Sequence, residues 1–598
     1  MNRRDVIRLI GTGSLASFIP GIARGSRVLS NGYYAAGLKK PVSVYITWAA
    51  HDELSDTVAL TEELAMKEFD ALLRMKKLGV QFDYYLMDMF WFDKDSGYRA
   101  FKKEAWPNGP DRWLKACKEN GILPGLWLST NVMGWGDSHF MNQKEEWNES
   151  ADKQGQLMSL HKGNFINYHI ETMQQWYDKG IRIFKFDFAN FWEPLAGDDD
   201  IMLKVEHERR SEDAWIDALK RFRAKNPEVV LLAYNGYGGI QWHTKPGFKK
   251  SVQLKWLEVF DSLYCGDPRP SDVPCMNFWR SKDIYSDHMV FEYEWNGVPL
   301  PRIDNTAFMI GNTGTCYYRN KQAWKGMLIL SGARGGWMNT YYGNMDLLSD
   351  EDAKWFARAQ KMYLTLQEFG QSSVFGNVPG SALPYGFKSK GQYGTVITIV
   401  NPSQSVQTVD IPEARFEKSR IQFHDAGFVP VLQNNKVTLG PEQLVVVGMG
   451  EYADTKYDLG IQDDVIIPVR IAPLEQAFDT SSPNMAKADV SYTGKGDLRI
   501  VFRQTNTDDM PERITGNSST GDQKLGAFLS IKASQGGKEL PLVIHYNKRI
   551  WSGLSWAVAE ISNKTIQAGV PVNITYTVIN PKNVKTIIRG ELFEVFYK

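Results

Sequence analysis

Two carboxylates follow apolar segments whose composition is typical of buried β-strands. Asp187 ends the segment IFKFD and Asp88 ends the segment YYLMD. A charged group at such a place is costly unless it is paired or functional. Lys185 lies two residues before Asp187 and is therefore predicted on the same face of the strand, where its ammonium would favour the ionised form of Asp187. This pattern suits a carboxylate nucleophile, and a structural Asp–Lys pair is the alternative.

Aromatic residues make up 13% of the 598 residues, and 19 of them are Trp. Trp48 and Trp127 fall at the ends of predicted strands, near the two carboxylates. Aromatic faces stack on flat apolar ligand faces, so carboxylates and indoles around one opening suit sugar binding and hydrolysis. Packing is the alternative for each of them. It is our prediction for four tryptophans on predicted helices, namely Trp113, Trp176, Trp215 and Trp355.

Other chemistries have no matching pattern in the sequence. Lys plus Arg and Asp plus Glu are both 69, so no net positive charge favours nucleic acid. The nine histidines form no His-Glu-x-x-His or similar cluster, which argues against a catalytic zinc site. The segment 236–241 lacks the last glycine of a dinucleotide fingerprint, and Gly-x-Ser-x-Gly is absent from the sequence. We therefore expect no metal, no cofactor and no nucleic-acid partner.

The elements that must position these groups alternate between strands and helices from 40 to 370. Strands are predicted at 42–48, 82–92, 123–128, 181–188, 229–234, near 260–265, 307–310 and 335–339. Helices are predicted at 61–78, 111–120, 167–178, 211–224, 321–330 and 350–369. About eight βα units of this length favour an α/β fold with a (β/α)8 TIM barrel over an open sheet. In such a barrel the C-terminal ends of the strands share one mouth, where catalytic groups lie.

The helical pattern stops after about residue 370. Short β-rich segments separated by Asn, Pro and Gly turns predict two antiparallel β-sandwich domains, at 371–457 and 458–598. In the second of these, Trp551 and Trp556 could form a sugar platform, although packing in the sandwich core is the favoured interpretation.

The first 24 residues predict export of the chain. Arg3 and Arg4 precede a mildly apolar run of small residues, as in a twin-arginine signal, so we expect a periplasmic or cell-surface location. The run is too short to span a membrane, and no other segment is long enough. An exported protein could pair Cys265 with Cys275, although unpaired buried thiols are favoured.

Six segments together resemble retaining α-galactosidases and α-N-acetylgalactosaminidases, the clan D glycoside hydrolases of families 27 and 36. The segments are ITWAA at 46–50, LMDMFWF at 86–92, WPNG at 106–109, GLW at 125–127, KFD at 185–187 and GNMDLLS at 343–349. Their order and spacing carry the resemblance, which covers residues 40–455. It implies a TIM barrel and an oligosaccharide or polysaccharide substrate.

The resemblance also implies residue roles. Asp187 would be the nucleophile, and Asp267 the acid/base, with Asp272 as its rival. For retention, two such carboxyl groups should lie about 5–5.5 Å apart. The implied substrate-binding residues are Trp48, Asp88, Trp91, Trp127, Lys185, Asn235 and Arg269.

One position departs from the family pattern. Met89 stands where the family has a second aspartate that holds galactose hydroxyls, and a thioether cannot replace the acceptors of a carboxylate. The sequence therefore predicts an exported retaining glycosidase for α-galactoside-like linkages. The alternatives are a glycosidase for a different pyranoside and a carbohydrate-binding protein on a degenerate barrel. The oligomeric state stays open.

Overall fold

A computed structural model describes most of the chain between residues 38 and 597. The described residues are 38–48, 60–89, 91–93, 95–133, 145–147, 149–152, 155–191, 201–237, 253–266, 274, 278–311, 321, 323–415, 417–482, 484–492, 494–507, 529–545, 555–579 and 586–597. The predicted export segment at 1–24, Cys275 and Trp551 lie outside these residues.

Eight parallel strands form a closed barrel in the order β1-β8-β7-β6-β5-β4-β3-β2. The strands are β1 Val42–Ile46, β2 Tyr84–Met87, β3 Leu123–Ser129, β4 Ile183–Asp187, β5 Val230–Ala233, β6 Ser262–Tyr264, β7 Ile303–Ile310 and β8 Met338–Gly343. This confirms the predicted barrel. The predicted strand at 82–92 is two elements, because β2 ends at Met87 and a separate hairpin pairs Phe92–Asp93 with Gly97–Phe101.

Helices follow seven of the eight strands within the described ranges. They are α1 Glu62–Lys77, α2 Asp111–Glu119, α3 Phe165–Asp178, α4 Ile201–Lys225, α5 Phe278–Trp295, α6 Trp324–Ala333 and α7 Asp350–Phe369. The sequence predicted α7 with its observed bounds, and missed α5. A capping box between Ser349 and Asp352 begins α7, and Gly370, with a φ of 70°, ends it.

The alternation of side chains along β4 places its two charged residues inside the barrel. Phe184 packs against Phe222 and Phe186 against Trp215, both on helix α4, with ring centroids 6.1 and 5.3 Å apart. Lys185 and Asp187 therefore point to the opposite face, away from the helices. The barrel geometry confirms that these two residues share a face.

Two β-sandwiches follow the barrel. The first has a six-stranded sheet, Gln371–Gly376, Tyr385–Gly391, Gly394–Asn401, Gln443–Gly450, Ser419–Ala426 and Gly460–Ile466, and a small sheet of Gln407–Asp410, Lys436–Leu439 and Val431–Gln433. Gly460–Ile466 pairs with Ser419–Ala426, so the expected border at 457/458 is too early.

The final sandwich contains a five-stranded and a four-stranded sheet. The first consists of Arg470–Pro473, Ile587–Phe596, Asp497–Thr505, Trp556–Ile561 and Val543–Ile544. The second consists of Met485–Val490, Val572–Val578, Leu529–Gln535 and Lys538–Glu539. Trp556 is fully buried and contributes to packing rather than to a surface platform.

Two further sequence expectations concern cysteine pairing and membrane spans. Cys117 and Cys265 are buried free thiols, so Cys265 is not in a disulfide. Of the helices described, none is long and apolar enough to cross a membrane.

Candidate active site

Asp187 is the last residue of β4, and four N–H donors from the described part of the chain hold its carboxylate. Its Oδ1 accepts hydrogen bonds from the Phe188 amide at 2.9 Å, the Asn235 amide at 3.1 Å and the Asn235 side chain at 3.0 Å. Its Oδ2 accepts one from the Trp127 indole at 3.2 Å. Asp187 is 7% exposed, so this carboxylate lies almost out of solvent with a fixed orientation.

The backbone turns sharply after Asp187. Phe188 has a φ of 50°, in the left-handed region that a bulky non-glycine residue rarely adopts. This conformation accompanies the hydrogen bond from the Phe188 amide to the preceding carboxylate, and the Phe188 ring lies 5.7 Å from that of Trp127. Backbone strain of this kind clusters at functional sites, which singles out this turn.

Asp88 and Lys185 form a buried ion pair across the barrel interior. The Lys185 ammonium donates to Asp88 Oδ2 at 2.8 Å, and the Met89 amide donates to Asp88 Oδ1 at 2.8 Å. The Thr47 hydroxyl accepts from the Asp88 amide at 2.9 Å, which fixes the backbone at this strand end. Among the described residues the ion-pair partner of Lys185 is thus Asp88, and not Asp187 as in the alternative of a structural Asp187–Lys185 pair.

Beneath this ion pair lies a polar group that the sequence did not reveal. Asp304 on β7 is fully buried and accepts hydrogen bonds from the hydroxyls of Tyr234 and Thr340, each at 2.7 Å. Burial raises the pKa of Asp304 to about 7. The predicted strand began at 307, and Asp304 stood outside it because the polar run Asp304–Thr306 gave no strand signal.

The tryptophans predicted at the mouth differ in their environments. Trp48 is half-buried just after β1. Trp127 is 1% exposed and reaches Asp187 through its indole N–H, so it positions the carboxylate. Trp91 is fully buried, donates to the Trp127 carbonyl at 2.9 Å and packs against Phe101, so it lies in the core, and its contact with substrate stays a prediction. The four helical tryptophans are buried, which confirms their packing role.

Three of the predicted site residues, Asp267, Arg269 and Asp272, lie outside the described residues. The described site therefore contains the proposed nucleophile with its donors and the Asp88–Lys185 pair. Within the same part of the chain no group of three His, Cys, Asp or Glu side chains is arranged to hold a metal ion.

Comparison with known proteins finds similar structures among α-galactosidases. The galactosidase domain of an alpha-galactosidase–sucrose kinase has a TM-score of 0.49 at 13% identity, covering 69% of this chain and 55% of that one. A GH36 α-galactosidase from Geobacillus stearothermophilus, solved with raffinose, has a TM-score of 0.48 at 11% identity, covering 69% and 56%.

A putative α-galactosidase from Bacteroides fragilis has a TM-score of 0.44 at 14% identity, covering 69% of this chain and 79% of its own. This chain thus spans about half the length of the first two structures. No family model matches the chain, nor does any curated protein at a significant level.

Proposed function

We propose that this protein is a retaining glycoside hydrolase that acts on α-galactoside-like linkages, with Asp187 as its nucleophile. The observation that carries the proposal is the state of the Asp187 carboxylate. It lies at the C-terminal end of a barrel strand, where (β/α)8 enzymes hold their catalytic groups. Within the described residues, four N–H donors fix its direction.

The two oxygens of Asp187 have different roles in the proposal. Among the described residues, Oδ1 accepts hydrogen bonds from three donors and Oδ2 accepts one from the Trp127 indole. We therefore assign the attack to Oδ2, with Oδ1 anchored to the protein. The Trp127 indole would stay hydrogen-bonded to this carboxylate and keep Oδ2 aimed at the sugar.

The reaction would proceed in two displacements. In the first, Oδ2 bonds to the anomeric carbon while the bond to the leaving-group oxygen breaks, and that oxygen takes a proton from a carboxylic acid. In the second, water attacks the anomeric carbon, gives its proton to the same carboxylate and releases Asp187. Asp267 is our candidate for this acid/base, with Asp272 as its rival. Two inversions give net retention.

The Asp88–Lys185 pair would bind the sugar hydroxyls. The Lys185 ammonium has three N–H donors, and in the described part of the chain it makes one hydrogen bond, to Asp88. Donors of a buried ammonium form strong hydrogen bonds with hydroxyl oxygens. Asn235 holds Asp187 with both of its N–H groups, so its contribution is to the nucleophile.

The identity of the sugar is the less determined part of the proposal. Met89 is 4% exposed, and its side chain packs in the core rather than presenting a polar group. An α-galactoside is the first substrate to test, followed by other pyranosides. The proposal includes export, which periplasmic fractionation with and without residues 1–24 would test.

Covalent trapping tests the nucleophile directly. A fluorinated α-galactosyl fluoride combines a good leaving group with a fluorine that slows hydrolysis of the glycosyl-enzyme. We expect the mass of one glycosyl group on the peptide that contains Asp187. Asp187→Asn should abolish labelling and turnover, whereas Asp178→Asn, at an exposed position on α3, should change neither.

Three results would contradict the proposal. Labelling of another carboxylate, with Asp187 untouched, would remove its assigned role. Saturable sugar binding without turnover of any glycoside would favour the carbohydrate-binding alternative. In an active enzyme, NMR of the first product should show the anomer of the substrate, and the opposite anomer would exclude retention.

A further inference from the structure

A tyrosine on the fifth strand end supports the ammonium of Lys185. The Lys185 Nζ lies 4.1 Å from the centroid of the Tyr234 ring, in a cation–π arrangement. The other face of that ring is covered, because Tyr264 stacks on it with centroids 4.1 Å apart and planes at 14°. The ring thus separates the ammonium on one side from an aromatic side chain on the other.

The hydroxyl of Tyr234 is held as firmly as its ring. It donates to Asp304 Oδ2 at 2.7 Å and lies 2.8 Å from the Tyr342 hydroxyl. Since its single proton goes to Asp304, Tyr342 must donate in the second bond. The Thr340 hydroxyl donates to Asp304 Oδ1 at 2.7 Å and completes the anchor. Tyr234 can neither rotate nor slide without breaking hydrogen bonds inside a closed core.

Asp304 also acts electrostatically on the same ammonium. Burial raises the pKa of Asp304, and the positive charge of Lys185 is among the influences that oppose this rise. The two groups therefore attract each other, although the hydrogen bond of Lys185 goes to Asp88. A carboxyl that makes no direct hydrogen bond to Lys185 thus contributes to the potential at its ammonium.

On the basis of the function proposed above, we propose that Tyr234 is a positioning residue, held by Asp304 and Tyr342, that sets where the Lys185 ammonium meets the substrate. The hydrogen bond to Asp88 and the contact with the ring face of Tyr234 together fix the position of the ammonium. The remaining N–H donors of Lys185 are then directed away from the ring. Neither Tyr234 nor Asp304 would touch the sugar.

The kinetic test separates the ring from the hydroxyl. Tyr234→Leu removes the ring face, and we expect KM to rise about tenfold or more while kcat changes less. Tyr234→Phe keeps the ring and removes only the hydroxyl that anchors it, so its KM should lie close to that of the wild type. Tyr363→Phe is the matched control, because it removes a buried hydroxyl bonded to Thr398 and should leave KM unchanged.

Asp304→Asn provides a second variant in case Tyr234→Leu does not fold. It removes the charge and keeps the size, and we expect KM to rise about twofold to threefold, close to the value for Tyr234→Phe and below that for Tyr234→Leu, because the ring stays in place while its anchor is weakened. Thermal unfolding of every variant shows whether the fold is intact. Equal KM for Tyr234→Leu, Asp304→Asn and the wild type, in folded proteins, would overturn the proposal.

Binding measurements distinguish this proposal from the proposed function. Calorimetric titration with galactose and other free pyranoses does not require turnover. If the wild type binds a sugar but hydrolyses none, the hydrolase proposal fails, and a weaker affinity in Tyr234→Leu than in Tyr234→Phe still supports the positioning role. Equal affinities in these two variants contradict the positioning role even in an active enzyme.

Discussion

Lys185 at the barrel mouth and Arg499 at the junction of the two sandwiches are both buried cations, but their donors are used differently. Arg499 is fully buried, and each of its three nitrogens donates to a different side chain, namely Glu560, Gln404 and Tyr597. Its partners come from both sandwiches. The guanidinium therefore holds the two domains together, and within the described residues three of its five N–H donors are used by these side chains.

Lys185 makes one hydrogen bond within the described residues and otherwise rests on the Tyr234 ring. Its donor capacity is only partly used, at the end of the barrel where substrates reach such sites. The difference teaches that burial of a charge does not by itself indicate function. What separates the two cations is that the fold uses most of the N–H donors of Arg499 and a minority of those of Lys185.

The largest effect should come from Lys185→Met. We expect kcat/KM to fall by about 10²–10³, as when a donor to a developing or bound oxygen is lost. Arg499→Met is the comparison and should leave kcat/KM within about twofold at a temperature where both proteins are folded, because Arg499 belongs to the domain junction. A large loss of activity in Arg499→Met would break the contrast between the two sites.

Arg499→Met should have its effect on stability. Two carboxylates, Glu560 at 2.7 Å and Glu442 at 3.8 Å, would remain buried without their cation. Breaking a buried pair in this way costs about 3–5 kcal/mol. Urea denaturation should show the loss, and the further changes Glu442→Gln and Glu560→Gln should restore part of it. No recovery in the triple variant would mean that the arginine stabilises by packing alone.

The sequence predicted those features of the barrel that depend on local patterns of residues. Alternation along β4 put Lys185 and Asp187 on one face, and capping signals placed α7. The partner of Lys185 could not be predicted, because Asp88 lies 97 residues away and the pairing depends on which strands become neighbours. Local patterns carry no information on such a contact.

The elements that the sequence missed have similar causes. Helix α5 is rich in aromatic and polar side chains and has no clear apolar stripe, so periodicity did not indicate it. Trp91 was placed at the mouth because the apolar run 82–92 looked like one strand. The run leaves the barrel after Met87, and the hairpin carries Trp91 into the core.

Two tryptophan changes sharpen the comparison inside the barrel. Trp127→Phe removes the donor to Asp187 Oδ2, and we expect kcat to fall about tenfold, the effect of one hydrogen bond to a charged group. Trp91→Phe removes a donor to a backbone carbonyl and should cost about 1 kcal/mol of unfolding free energy with little change in kcat. Steady-state kinetics and denaturation of both variants measure these effects. A large change in kcat or KM for Trp91→Phe would show that Trp91 contacts substrate.

The pH dependence of the unfolding free energy should show the smallest difference between the junction of the sandwiches, where Glu560 lies, and the barrel interior, where Asp304 lies. Burial alone would raise the pKa of Glu560, but His545, 3.5 Å away, and the charge of Arg499 outweigh it and lower the pKa to about 2. The stability that Glu560 contributes is therefore present above its unfolded pKa and is lost as pH falls from about 5 towards 2. Asp304 behaves in the opposite way.

The pKa of Asp304 is raised to about 7, so the folded state binds its proton more tightly than the unfolded chain does. Its contribution is complete below the unfolded pKa and is lost as pH rises from about 4 to 7. Glu560→Gln should flatten the acid side of a curve of unfolding free energy against pH, and Asp304→Asn the side approaching neutrality, each by about 1 kcal/mol or more. If both variants flattened the same side of the curve, the two carboxyls would lie in similar environments. The electrostatic difference between the junction of the sandwiches and the barrel interior would then be absent.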